Sequence, residues 1–419
     1  MILSKSFRMS LDIKMSTEEI IEKVIAGEIK LHTIDKYVSP KEAVAVRRSA
    51  IAQLTDTGLD NIGSFTIDET QATARNIENM IGAVQVPLGI AGPIIINGEY
   101  AIGNFSLPMA TTEGALVAST NRGCSVITAS GGAEVRIFND GMTRAPVYLA
   151  RNASHAKDFI NWINENFEIL QAKAAQTTRF GELLDVLPFV VGNNIYLRFR
   201  FDTKDAMGMN MATIASEAIS EYITQQCDIQ LVSLSGNMCT DKKPSAINNI
   251  MGRGKTVVAD VVIPEEVVIL KLKTHPDNMV EVNYRKNLLG SARAGSMGFN
   301  AQAANIIAAL YLACGQDAAH VVEASSAITT MDLTKEGNLY CSVTLSAIQV
   351  GTVGGGTGLA TQKECLRMLG VAGSGQPPGT NATKLAEIIA SAVLAGEISL
   401  ISAQAAGHLA RAHKQLGRG

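Results

Sequence analysis

The chain has little net charge. Its 36 Lys and Arg face 39 Asp and Glu, for a net charge of −3. That balance offers no electrostatic footprint for nucleic acid and none for an anionic membrane. The six cysteines form no C-x-x-C pair and no His/Cys spacing typical of zinc, so they read as reduced, mostly buried residues, with no metal site among them. No apolar run free of charge approaches the roughly 18–20 residues that span a bilayer. The best candidate, 386–401, carries Glu387 and Glu397. The N-terminus lacks a charged-then-apolar signal segment, and a cytoplasmic protein is the expectation. Standard catalytic and nucleotide motifs are also missing. There is no G-x-S-x-G. Gly254-Lys255-Thr256 ends like a P-loop, but Asn249 stands where its first glycine belongs. A dinucleotide fingerprint beginning at Gly354 fails at Leu359, and no acidic residue closes a second strand about 20 residues later.

What is present is apolar content of 47%, ample for packed cores, and 37 glycines, many of them clustered. Ser16 with Glu19, and Ser39-Pro40 with Glu42, each spell a capped helix start, so the chain opens as a small helical domain over 1–70. Texture changes from about residue 71. Strands are expected at 94–96 and 100–106, then a helix opened by Thr111 or Thr112 and running through Arg122. Over 146–234 the order is strand, helix, two strands, helix, strand, the β-α-β-β-α-β order of a ferredoxin-like unit. A small-residue helix is expected from Asn300 to Cys314. A last helix is expected over 381–415, broken near Gly396 or Gly407.

The stretch Ser235–Asn248 carries the strongest chemical signal. It leaves the end of an apolar strand and holds Asp241, Lys242 and Lys243 between Gly236 and Pro244. Adjacent ammonium groups repel unless an anion sits beside them. Asp241 is expected to hold one, leaving the other for a substrate carboxylate or a developing oxyanion; the plainer alternative is a solvated turn. Glu113 reads equally as a first-turn carboxylate that complements a helix dipole. Asp317 follows the small-residue helix, where a negative charge opposes the dipole, a misfit that hints at function or at a lysine partner. The run 205–211 (Asp205, Met207, Gly208, Met209, Asn210) lies between a strand and a helix start, where free N–H groups suit a phosphate, although its methionines equally suit core packing. Residues 351–358 give a strand–glycines–helix loop. Arg179 can reach a phosphate or be a plain surface residue.

Seven segments in order (78–82, 108–122, 140–144, 205–211, 235–248, 315–319 and 351–357) resemble the 3-hydroxy-3-methylglutaryl-coenzyme A (HMG-CoA) reductase family, the soluble archaeal type in particular. The resemblance covers about 71–415 and is weak before it. It implies an α+β architecture: a small helical N-terminal domain, a large α/β substrate-binding and catalytic domain (71–145 and 235–419) around a long central helix, and an inserted ferredoxin-like dinucleotide-binding domain (146–234). It also implies a homodimer with active sites between subunits, paired into a homotetramer, and two NADPH per HMG-CoA reduced to mevalonate and CoA. By motif, Lys242 stabilises the oxyanion, Glu113 donates a proton with a pKa raised by burial, Asp317 sits between and tunes both, and His413 protonates the CoA thiolate. Arg144, Ser235, Asp241, Lys243, Lys286 and Asn305 are implied around the HMG group, with Ser119, Asn121 and Arg122 on the CoA side. Asp205, Met207, Gly208, Met209, Asn210, Gly351, Val353, Gly354, Gly355 and Arg179 are implied for NADPH. Gln302 departs from the family's pattern, standing where many members have His. The rival readings are a CoA-thioester binding protein without turnover and a reductase of another acyl-CoA thioester.

Overall fold

The computed structural model describes residues 15–407; His408 and His413, and the end of the expected last helix, lie outside them. Two compact units meet between Val86 and Pro87. In the first, helices Thr17–Ile25 and Pro40–Thr55 each begin with the capping box expected, Ser16 with Glu19 and Ser39 with Glu42. Ile20, Val24, Ile34, Ala43, Val46 and Ala50 form their shared core. The unit extends past residue 70 because the chain returns to Ile62: the Ala83 N–H bonds the Ile62 carbonyl at 3.0 Å, and Gly82 leaves no room there for a side chain.

Among its described residues the second unit carries ten strands: β1 (Leu88–Asn97), β2 (Ile102–Ala110), β3 (Ala133–Arg144), β4 (Val147–Leu149), β5 (Glu182–Val191), β6 (Asn194–Asp202), β7 (Gln230–Ser233), β8 (Gly254–Ile263), β9 (Ile328–Leu333) and β10 (Leu339–Ile348). They run β7-β4-β6-β3-β8-β10-β9, with β1 and β2 attached through β3 and β5 through β6. Strand β3 joins two regions: Glu134 to Gly141 pair with β8, and Met142 to Arg144 with β6.

Strands β4 to β7, with helices Ala153–Glu165, Phe167–Ala175 and Met209–Gln226 between them, form an antiparallel sheet ordered β7-β4-β6-β5. This is the ferredoxin-like arrangement, with its own core around Tyr148, Phe159, Ile195, Leu197, Phe199, Phe201 and Ile219. Side chains alternate across a strand. Ile195, Leu197, Phe199 and Phe201 of β6 therefore enter that core, while Arg198 and Arg200 point the other way. Arg198 bonds the carbonyls of Met238 (3.1 Å) and Gly252 (2.8 Å), and so fixes the loop that carries Lys242.

The central helix is Thr380–Ala405, 26 residues long. By length and composition it could cross a membrane, contrary to the expectation that its two glutamates rule this out, but 94% of its apolar window is buried inside the fold. Those glutamates act as internal caps. Glu387 accepts the N–H groups of Glu99, Tyr100 and Ala101. Glu397 accepts those of Ala301 and Gln302, at 2.7 Å each, and the Thr329 hydroxyl. Burial pushes both carboxyls above the usual range, and the donated hydrogen bonds only partly offset it. The helix is unbroken at Gly396, which packs against Ile306; Gly407 is the residue that turns left-handed, at φ 67°. Helix Leu116–Ala129 crosses it where Gly123 meets the Ala395 carbonyl, a contact that no side chain would permit.

Candidate active site

Lys242 lies in the connector between β7 and helix Ala246–Met251. Asn237, Thr240 and Lys242 all have left-handed backbones, with φ of 62°, 46° and 58°. Such conformations cost roughly 1–2 kcal/mol each for residues with a Cβ and persist only where neighbours enforce them. Here the neighbours are visible. The Gly236 N–H bonds the Ala145 carbonyl at 2.6 Å, the Thr240 hydroxyl and carbonyl bond Asn248, and the Lys242 N–H bonds Glu323 Oε1 at 2.7 Å.

The Lys242 ammonium lies 2.9 Å from Asp317 Oδ2. The Asp317 hydrogen bond holds the ammonium's pKa above the usual lysine value against a smaller opposing effect of burial. Burial favours the neutral form of Asp317, but the Lys242 ammonium and the Ala319 N–H outweigh it and leave the carboxyl below its usual range. The pair is therefore ionised throughout the neutral range. Two expectations are corrected. Asp241 pairs with Arg253 at 3.1 Å and holds neither lysine side chain; Lys243 donates to the Asp241 main-chain carbonyl. Asp317 does not oppose a helix dipole. The preceding helix, Ala303–Ala313, has already ended, Gly315 has turned left-handed, and Asp317 caps the next turn, Ala318–His320.

Glu113 departs further from expectation. The helix begins at Leu116, after Ala115 at φ 70°, so Thr111 bonds the Glu113 N–H in a turn ahead of the helix. Glu113 is exposed, without the burial expected of it, and its carboxylate accepts from Asn305 Nδ2 at 3.2 Å. Asn305 stands near the start of helix Ala303–Ala313, and Asp317 follows its end. At 1.5 Å per residue, about 12 Å of helix separate Asn305 from Ala313. Within this chain Asp317 pairs with Lys242, while Glu113 bonds Asn305. Glu113, Asn305, Ser119, Arg122, Gln302 and Gln404 line a cavity of about 320 Å³. Arg122 and Ser119 both bond Ser399 on the central helix, and Arg122's guanidinium is lowered in pKa by burial. Asn121 instead holds the Gly92 N–H. Arg144 ends β3 with its Nε buried and unpaired, Lys286 donates to Asn287, and Ser235 Oγ lies 3.8 Å from Cys239 Sγ.

The two glycine-bearing candidate segments meet. Ala206 bridges Val353, the N–H groups of Thr352 and Val353 both reach the Asp205 carbonyl, and Gly351 packs directly on the Met207 main chain. No side chain caps helix Met209–Gln226, whose N-cap is Gly208. Gly354 and Gly355 have positive φ and open space where a Cβ would lie. Uncapped helix N–H groups beside an open glycine backbone suit a phosphate. Gln316 couples this loop to Asp317, exchanging hydrogen bonds with Gly351 N (2.8 Å) and O (2.9 Å). Arg179 is exposed in the turn before β5.

The Asp205 carboxylate is committed elsewhere. It accepts from Ser374, Gly375, Gly379, Asn381 and Ala382, capping the central helix. Burial alone would raise its pKa; the helix N–H groups outweigh burial and hold it below the usual value. Its stabilisation is thus present above the ordinary carboxylate range and lost as pH falls through the lowered folded-state value. Asp205→Asn would turn an amide NH₂ onto N–H donors, and is expected to cost about 3 kcal/mol. Thermal melting should show a midpoint several degrees lower at neutral pH, with the gap to wild type closing in acid.

The sequence did not single out Arg253, His320, Glu323 or Arg198. Arg253 between Gly252 and Gly254, and Glu323 among small apolar residues, were the available signals.

An open glycine loop beside an uncapped helix start, coupled through Gln316 to a lysine–aspartate pair, suits an oxidoreductase. A family model described as hydroxymethylglutaryl-coenzyme A reductase matches residues 43–418. The 3-hydroxy-3-methylglutaryl-coenzyme A reductase of Pyrococcus abyssi is 56% identical over 408 residues, 96% of this chain and 100% of that one. That of Halobacterium salinarum is 53% identical over 400 residues, 96% and 98% of the two chains. A solved class II reductase from Streptococcus pneumoniae, bound to NADPH, shares the fold at TM-score 0.65 and 20% identity, covering 93% of this chain and 98% of that one. The chain belongs to the HMG-CoA reductase family.

Proposed function

We propose that the chain reduces HMG-CoA to mevalonate and CoA with two NADPH, through a hemithioacetal and then mevaldehyde. The observation that carries this is the Lys242–Asp317 pair, joined through Gln316 to the open glycine loop. NADPH supplies hydride. This chain's residues bind, orient and compensate charge. The helix start at 208–210, with Gly351, Val353, Gly354 and Gly355, holds the dinucleotide, and Arg179 reaches its phosphates. Asp205 contributes its backbone and a fixed helix end. Lys242 meets the substrate oxygen as it turns negative; a preorganised cation there acts at the transition state. Asp317 keeps that ammonium charged and aimed. Glu113 gives the proton that neutralises the oxygen. Arg144, Ser235, Asp241, Lys243 and Lys286 surround the HMG carboxylate and hydroxyl. Ser119, Asn121 and Arg122 face the CoA side, and His413 protonates the departing thiolate.

Glu113 and Lys242 lie toward opposite ends of helix Ala303–Ala313, which favours a homodimer whose sites draw on both subunits, paired into a tetramer. Inside the dimer, Glu113 meets the partner's Lys242–Asp317 pair and gains the burial that one chain withholds. The free, mostly buried cysteines and the interior position of the long apolar helix favour the cytoplasm.

Purified protein given HMG-CoA should oxidise about two NADPH per CoA released, as the four-electron chemistry of sequential hydride transfers requires. HMG-CoA binding without NADPH loss would point to a sensing protein instead, and turnover of only another acyl-CoA to a different reductase. In the same assay, His413→Gln should slow HMG-CoA reduction yet spare mevaldehyde reduction; equal slowing of both would remove His413 from thiolate capture.

A further inference from the structure

Beneath the Lys242 loop lies a buried charged cluster that none of the roles above uses. Arg253 and His320 are fully buried, and Glu323 is 2% exposed. Glu323 Oε1 accepts from Arg253 (2.8 Å), lies 3.2 Å from His320 Nδ1, and accepts the Lys242 N–H at 2.7 Å. His320 Nε2 is buried without a hydrogen-bond partner, 3.7 Å from Asp317 and 3.8 Å from Asp241. Asp241, His320 and Glu323 offer ligand atoms within 4.8 Å of one another, the spacing of a metal site. The Arg253 guanidinium already lies among them, bonded to both carboxylates, so a metal ion there would meet a fixed positive charge.

The cluster touches the catalytic loop through its backbone. Lys242 needs an imposed left-handed φ, and its N–H is where that constraint is applied. Glu323 can apply it because Arg253 and His320 converge on the same Oε1 and hold it in place, while Oε2 is buried without a partner. We propose that Glu323 is a positioning residue for the reductase reaction, its carboxylate holding the Lys242 main chain in the conformation that aims the ammonium at Asp317 and the substrate oxygen. This rests on the reductase reading above. Glu323 also adds to the field that keeps Lys242 protonated, alongside Asp317 and Asp241. The other ionisable groups facing this point are Arg253, His320 and, from helix Ala303–Ala313, Tyr311.

The test compares Glu323→Ala and Glu323→Gln with wild type by steady-state kinetics on HMG-CoA and NADPH across pH. Wild-type turnover in the same assay checks the reductase reading separately. Glu323→Ala should lower kcat by about 10²-fold, the effect of a misplacement near 1 Å, with both KM values within about twofold. Glu323→Gln keeps a carbonyl acceptor for the Lys242 N–H but loses the charge. It should recover most of kcat while the alkaline limb of its pH profile moves to lower pH, a shift that a purely structural role would not produce. An active wild type beside a Glu323→Ala variant with unchanged kcat overturns the proposal. Should Glu323→Ala not fold, an unmoved alkaline limb in Glu323→Gln overturns it equally.

Discussion

Lys242→Ala is expected to abolish NADPH oxidation with HMG-CoA and with mevaldehyde alike, lowering kcat by about 10³-fold or more, the scale of losing a preorganised oxyanion partner. Both reductions deliver hydride to a carbonyl carbon and leave charge on its oxygen, so one cation serves both. The 2.9 Å contact with Asp317 supports this use. Its hydrogen bond raises the ammonium's pKa, so at neutral pH Lys242 is present as a cation and not as a base. KM for NADPH should change little, because the proposed dinucleotide contacts lie on the 205–210 and 351–355 segments. Lys242→Arg should not rescue. A planar guanidinium keeps the charge but cannot reproduce a point charge on a flexible stem within the same loop. Turnover of mevaldehyde by Lys242→Ala at the wild-type rate would remove Lys242 from its assigned role.

Local signals in the chain proved readable. Capping boxes at Ser16 and Ser39 placed two helices. These are short-range effects, in which side chains meet backbone or one another within a few residues. The order of elements over 146–234 was enough to anticipate the ferredoxin-like sheet, because few topologies satisfy a β-α-β-β-α-β order. The start of the Glu113 helix was misplaced because two threonines look like caps, while the true start follows Ala115 in a left-handed conformation that packing selects. Of the two glycines at which a break in the central helix was expected, Gly396 stays helical because its close packing on Ile306 outweighs its weak propensity, and Gly407 is the one that turns left-handed.

Long-range partners were the least legible. Asp241 and Lys242 are sequence neighbours, and a neighbour seemed the natural counter-ion. The fold sends Asp241 to Arg253 instead, whereas the pairing of Lys242 with Asp317, 75 positions along by subtraction of their numbers, matches the lysine partner expected for Asp317. Glu323 and Arg253 carry no motif of their own; their significance is that they converge beneath a single backbone N–H. Asp205 shows the reverse. Its place between a strand and a helix start suggested a ligand, whereas its carboxylate closes the start of the central helix. A motif residue can therefore act by fixing backbone.

Mixing two inactive variants is expected to restore activity. Glu113→Gln and Lys242→Ala homodimers should both be inactive, since each lacks one partner in every site. In a two-fold symmetric dimer with composite sites, a mixed dimer pairs one subunit's Glu113 with the other's Lys242. One of its two sites is then intact, and the other lacks both groups. Random assembly from equal amounts gives half mixed dimers, so the mixture should recover about a quarter of wild-type activity, and a purified mixed dimer about half. If Glu113 and Lys242 served the same site from one chain, every site in the mixture would lack one of them and activity would stay near zero. The first outcome is expected because Glu113 is held by Asn305 near the start of helix Ala303–Ala313, while Lys242 is held by Asp317 beyond its end. About 12 Å of helix exceeds the reach of a glutamate side chain, and in the proposed composite site a second copy therefore brings its own Glu113 to this lysine.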